Sequence, residues 1–242
     1  MTDGPWAEPG SRKAELAGRL DMVRGRIAAA CLAAGRSTSE VTLIAITKTF
    51  PASDVYLLSE LGVRDIGENR DQEAAPKAAQ CAAVRPSLTW HFVGQLQTNK
   101  CASVVSYARV VHSVDRLRLV QALGTQARRA DRRVCCLVQV SLDGDTTRGG
   151  AVAQHVPQIA DAVAGEPGLV LGGVMAVAPQ DGPPSAAFDR LAEIAAAVRA
   201  THPGAAMISA GMSGDLEEAI AAGATHVRIG TALLGGRPAL VR

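Results

Sequence analysis

Eight short apolar runs recur along the chain, and their regular spacing constrains the fold more than any other feature. Val41–Lys48, Val63–Glu68, Leu88–Val93, Val110–Val114, Val134–Leu142, Leu169–Val177, Ala206–Ala210 and His226–Gly230 read as strands, each parted from the next by a helical or loop segment. In the first, Ile44 and Ile46 share a face with Lys48, while Val41, Leu43 and Ala45 form the other. A strand that is apolar on both faces is buried on both, as in parallel sheets. This alternation, without a composition shift or a low-complexity linker, predicts an α/β protein built as a single (β/α)8 barrel over residues 12–242. An open doubly wound sheet would want a glycine-rich turn after the first strand, where Thr47-Lys48-Thr49-Phe50-Pro51 has none. Leu16, Leu20, Val23, Ile27 and Cys31 recur at spacings of three and four, which predicts an additional amphipathic helix ahead of the barrel. Residues 1–11, rich in Gly and Pro, are expected to be flexible.

Composition narrows the function classes. A hydrophobic content of 48% with 20% charged residues suits a soluble globular protein with a sizeable core. A net charge of +2 offers no electrostatic footprint for nucleic acid, and the run Arg128-Arg129-Ala130-Asp131-Arg132-Arg133 suits a solvated helix end. Five cysteines, an odd number without a C-x-x-C pair, point to buried thiols in a reduced, cytoplasmic protein. The first residues lack the basic start and apolar core of a signal peptide, and no apolar run is long enough to span a bilayer. A monomer is expected.

Closing the eight strands gathers polar residues at one mouth, where barrels of this class carry their chemistry. Lys48 ends the first strand; a strand-ending lysine can simply snorkel to the rim, but a desolvated one loses its proton readily and can attack an aldehyde. Ser209-Ala210-Gly211-Met212-Ser213-Gly214 follows the seventh strand and Gly230-Thr231-Ala232-Leu233-Leu234-Gly235-Gly236 the eighth. Loops in these two places commonly cradle phosphate, here near Ser209, Gly230 and Thr231, although the same glycines also suit tight turns. A lysine beside a phosphate cradle fits two chemistries: a Schiff-base aldolase of sugar phosphates, or pyridoxal phosphate held by amine and phosphate together. Arg228, placed to meet a pyridine nitrogen, favours the second. His91 and His112 are weak metal candidates, because no close pair such as H-E-x-x-H occurs.

Ile46-Thr47-Lys48-Thr49, Gly67-Glu68-Asn69, the run from Trp90 to Lys100, His112-Ser113-Val114-Asp115, Gly211-Met212-Ser213 and Val227-Arg228-Ile229-Gly230-Thr231 stand in order along the chain. Together they resemble the pyridoxal phosphate homeostasis family. The resemblance spans residues 41 to 236 and implies a barrel similar to the amino-terminal domain of alanine racemase, with pyridoxal 5'-phosphate as a Schiff base on Lys48. It implies Arg228 at the pyridine nitrogen, Ser209, Gly230 and Thr231 at the phosphate, and Asn69, Met212 and Ser213 among the other cofactor contacts. The implied role is intracellular balance of pyridoxal phosphate and amino acids, with apo-enzymes as recipients and no established catalysis. Arg148 stands where a lysine is common in the family, and Leu234 where an aromatic is common.

An amino-acid racemase is the alternative reading. Racemases of this fold take a second base, a tyrosine, from a further domain; this chain ends soon after its eighth strand, and its two tyrosines, Tyr56 and Tyr107, are expected on intervening helices. An arginine at the pyridine nitrogen can only donate, which leaves the ring a weak electron sink.

Overall fold

The computed structural model describes residues 9–85 and 87–236. Eight parallel strands close in sequence order: β1 (Thr42–Ile46), β2 (Asp65–Glu68), β3 (Thr89–Phe92), β4 (Val110–Val114), β5 (Val134–Gln139), β6 (Leu169–Met175), β7 (Met207–Ser209) and β8 (His226–Ile229), with β8 paired back onto β1. The helices between them are α2 (Ala52–Glu60), α3 (Asp71–Ala82), α4 (Cys101–Tyr107), α5 (Leu117–Arg129), α6 (Val156–Ala164), α7 (Pro184–Thr201) and α8 (Leu216–Ala221). The long α1 (Pro9–Ala33) precedes the barrel and the short α9 (Thr231–Leu234) follows β8. The expected (β/α)8 barrel with an amino-terminal helix is therefore present.

Boundaries differ from the sequence expectation in two ways. α1 begins at Pro9, so residues 9–11 are helical rather than flexible, in keeping with proline's fitness for a first helical turn; residues 1–8 lie outside the described part. Several strands stop short of their apolar runs, β5 at Gln139 instead of Leu142 and β6 at Met175 instead of Val177. After β5 the apolar run continues because that loop is packed down, with Val140 bridging Ala151 and Leu142 buried, whereas Val177 after β6 is 42% exposed and borders the cavity.

Two apolar layers separate strands from helices. Leu16, Leu20, Val23 and Cys31 of α1 are almost wholly buried and join Ala45, Val227 and Ile229 of the barrel wall in one of them. Each buried Leu or Val contributes roughly 1.5–3 kcal/mol, so α1 is bound firmly across α8 and α9. Inside the barrel, Val110, Leu137 and Met175 cluster with Cys135 and Met207. Ile44 and Ile46 of β1 are buried beside Gly67, and polar groups share the interior with these apolar ones. His112 on β4 meets Ser209 on β7, a bond between non-neighbouring strands that has to cross the lumen.

Candidate functional site

A cavity of about 370 Å³ opens at the carboxyl ends of the strands. Seven of the eight residues expected at the site line it: Lys48, Asn69, Met212, Ser213, Arg228, Gly230 and Thr231. Lys48 lies two residues beyond β1, in a turn closed by the amide of Phe50 donating to the Thr47 carbonyl at 3.1 Å. Thr49, the next residue, has φ 70, an unusual conformation for a β-branched side chain, and its amide donates to Glu73 Oε2 at 3.1 Å. The backbone around Lys48 is thus held in one shape by Glu73 from α3. Nothing in the pattern of apolar residues signals this.

Ser209 is the exception. It is fully buried beneath the cavity, and its hydroxyl is engaged by Arg228 and His112 rather than facing the opening. The strand period placed Ser209 on the inward face but could not say that the Arg228 side chain lies over it. Polar groups of the loops after β7 and β8 take its place at the cavity wall. Ser213 Oγ accepts from the amide of Ala232 at 3.1 Å, which ties the two loops together, and Arg26 of α1 donates to the Ser213 carbonyl at 2.9 Å. The Met212 amide is taken by Asp215 Oδ1 at 2.6 Å, and Glu217 is paired with Arg26. Ser213, Gly214, Gly230 and Thr231 line this end of the cavity.

Arg228 is buried, donating from one terminal nitrogen to Ser209 Oγ and from the other to the Ala176 carbonyl, both at 2.8 Å. Burial pulls its guanidinium down to about 10, so it remains a cation at neutral pH. Opposite, Val93 and Gly94 bring the loop after β3 onto Asn69. A Cβ on Gly94 would stand 2.0 Å from the Asn69 carbonyl oxygen, so only glycine permits this approach, and it explains the glycine in the run from Trp90 to Lys100. Asn69 Oδ1 is buried without a hydrogen-bond partner among the described residues. An orphaned acceptor on a cavity wall calls for a donor from a ligand.

Below Lys48 lies a buried group that spacing alone did not reveal. Lys77 of α3 donates to Glu68 Oε1 at 2.5 Å and to the Thr47 carbonyl at 2.8 Å, and Thr47 Oγ1 donates to the same carboxylate oxygen at 2.7 Å. Arg148 is drawn to Asp143 and Asp145 and borders a neighbouring hollow that shares only Val177 with the main cavity. Tyr56 donates to the Gln80 carbonyl at 2.7 Å and Tyr107 reaches Asp71 at 3.4 Å, so neither faces the cavity. His91 and His112 sit inside the barrel, away from the cavity wall.

The buried imidazoles couple stability to pH. Burial, with repulsion from His91, Arg228 and His226, holds His112 well below the ordinary imidazole range, and burial with His91 takes His226 from 6.5 to about 4 against the opposing pull of Asp65. The unfolded chain takes up the His226 proton near 6.5 and the folded barrel does not until about 4, so this stability is complete above 6.5 and lost as pH falls toward 4, and His112 acts in the same direction. His226 alone should account for about 3 kcal/mol over that window. Urea unfolding at about pH 7.5 and about pH 5 should show the lower midpoint in acid, with a smaller gap in His226→Gln.

The model of the alanine racemase amino-terminal domain matches residues 26–238. The pyridoxal phosphate homeostasis protein of Mycobacterium tuberculosis is 44% identical over 93% of this chain and 94% of its own. The Escherichia coli K12 protein of the same name is 36% identical over 92% and 97%. The chain belongs to the pyridoxal phosphate homeostasis family. Among solved members, PipY of Synechococcus elongatus PCC7942, determined with PLP bound, superposes with a TM-score of 0.80 at 31% identity, covering 91% of this chain and all of that one. Alanine racemase of Clostridium difficile 630 shares the fold at a TM-score of 0.73 and 12% identity, this chain corresponding to 58% of it.

Proposed function

We propose that this family member holds pyridoxal 5'-phosphate as a Schiff base on Lys48 and serves the intracellular balance of that cofactor and of amino acids, as a cytoplasmic monomer that exchanges it with apo-enzymes. The observation that carries the reading is the placement of Lys48 and Arg228 on one cavity whose remaining walls offer an orphaned acceptor, Asn69 Oδ1, and a hydroxyl- and glycine-rich end. Family membership and the bound cofactor in PipY support it. The cofactor supplies an aldehyde that condenses with an amine, releasing water, and a ring able to draw electrons.

The chain's own residues set what can follow. The Lys48 amine is the nucleophile, fixed by the turn that Glu73 and Thr47 hold. Arg228, a permanent donor, would hold the pyridine nitrogen without supplying a proton to it, which would keep electron withdrawal weak. Asn69 Oδ1 would accept from a ring substituent, and Ser213, Gly230 and Thr231 would hold the phosphate. Neither tyrosine stands at the cavity to act as a second base, which favours storage and transfer over racemisation.

Thr231→Val should weaken pyridoxal phosphate by about tenfold or more while leaving unphosphorylated pyridoxal nearly unchanged, the loss of one charge-assisted hydrogen bond. Equal losses for both ligands would contradict the phosphate placement. The role itself is tested by giving the loaded protein an apo-enzyme and, separately, running a chiral assay on alanine and serine. Reactivation of the apo-enzyme without racemisation is expected. Robust racemisation that disappears in Lys48→Ala would make the protein an enzyme instead.

A further inference from the structure

Behind Arg228 the barrel interior holds a row of polar groups that the proposed role does not use. Arg228 donates to Ser209 Oγ at 2.8 Å; Ser209 Oγ and His112 Nδ1 are 2.9 Å apart; His112 Nε2 and His91 Nδ1 are 2.9 Å apart; His91 Nε2 and Asp65 Oδ1 are 3.0 Å apart. The row runs from the cavity through β8, β7, β4 and β3 to the residue that opens β2, and His112 and Ser209 are wholly buried.

Its two ends determine its direction. A guanidinium can only donate, so Arg228 occupies a lone pair of Ser209 and leaves the serine hydroxyl to find an acceptor. His112 Nδ1 is the one within reach, so it carries no proton, and the proton of a neutral His112 sits on Nε2. That N–H donates to His91 Nδ1, and His91 in turn donates from Nε2 to Asp65, a carboxylate that can only accept. In this direction every group has its partner. In the opposite direction Ser209 would receive two donors and its own proton would have no partner among the contacts formed, which is costly where the group is fully buried.

We propose that Ser209, His112, His91 and Asp65 form a one-way hydrogen-bond chain, with both imidazoles neutral and protonated on Nε2, that positions the Arg228 guanidinium at the pyridine end of the cofactor cavity. Arg228, His91 and His226, whose ring lies 6.5 Å from that of His91, all oppose a positive charge on His112, and burial disfavours its imidazolium further. The chain is a brace with fixed polarity and no proton conduit. Asp65, partly exposed with 26% of its side-chain surface accessible, anchors it at the amino end of its strand, remote in sequence from every residue of the cavity wall after β3. Only the role assigned to Arg228 rests on the pyridoxal phosphate reading.

The test combines nitrogen NMR of histidine-labelled protein, free of cofactor, with ligand titration. His91 and His112 should both give the Nε2–H tautomer at neutral pH, and His112 should stay neutral well below the ordinary imidazole range, assigned through His91→Gln and His112→Gln. Asp65→Asn retains the acceptor oxygen and should keep both tautomers and cofactor affinity. Asp65→Ala should disturb the tautomers, shift the absorption band of the bound cofactor and weaken pyridoxal phosphate and pyridoxal alike by about tenfold, because the brace acts at the ring and not at the phosphate. Nδ1–H tautomers, an imidazolium at neutral pH, or an Asp65→Ala protein with unaltered tautomers and absorption would overturn the chain. A wild-type protein that binds no pyridoxal phosphate would overturn the cofactor reading and with it the task of Arg228, while the tautomers would still decide the chain by themselves.

Discussion

Lys77→Met should lower the stability of the barrel by about 3–5 kcal/mol, the usual consequence of removing one partner from a buried ion pair. Glu68 is fully buried and Lys77 is 8% exposed, so water cannot replace the lost ammonium. Burial pushes the Glu68 carboxyl upward, and the ammonium at 2.5 Å is the main influence opposing it. Its second oxygen, Oε2, already lacks a hydrogen-bond partner among the described residues, which leaves no slack in the group. The effect should reach the site too, since Lys77 also donates to the carbonyl of Thr47, the residue before Lys48. Urea midpoints compare the variants. Glu68→Leu combined with Lys77→Met should recover much of the loss, because two apolar side chains leave no unpaired charge. A single variant as stable as the wild type would show that the pair is not ionised.

Lys48→Ala should abolish the covalent adduct with pyridoxal phosphate completely and leave the fold intact. The strand beneath it is held by Ile44, Ala45 and Ile46, all buried, and Lys48 itself lies in the turn beyond the last ladder bond. Far-UV circular dichroism should superpose on that of the wild type, while the visible band and the borohydride-stable adduct disappear. Residual non-covalent binding through Ser213, Gly230 and Thr231 is expected. A collapsed fold would instead make Lys48 a structural residue.

The strands were readable because a parallel barrel buries both faces of each, so every strand is a nearly continuous apolar run. Their ends were not, since Leu142 is apolar for the packed loop after β5 and Val177 stands exposed at the cavity, neither serving the ladder. Lys48, Asn69, Arg228, Gly230 and Thr231 were readable as residues of one cavity because they follow or end strands whose closure turns them toward one mouth. Ser209 shows the limit of that reasoning: a period of two says which way a side chain points and not what lies over it. The Thr47, Glu68 and Lys77 cluster joins residues 9, 21 and 30 positions apart and exists only once α3 packs on the barrel. The hydrogen-bond row through the lumen is hidden for the same reason. The two histidines looked isolated in sequence, yet strand register brings them together across β3 and β4.

The most direct measurement is a peptide map of the wild-type protein after incubation with pyridoxal phosphate and reduction with borohydride. A single pyridoxyl group on Lys48 is the expected result. A group on another lysine, or none at all, would contradict the assignment of this cavity as the cofactor site.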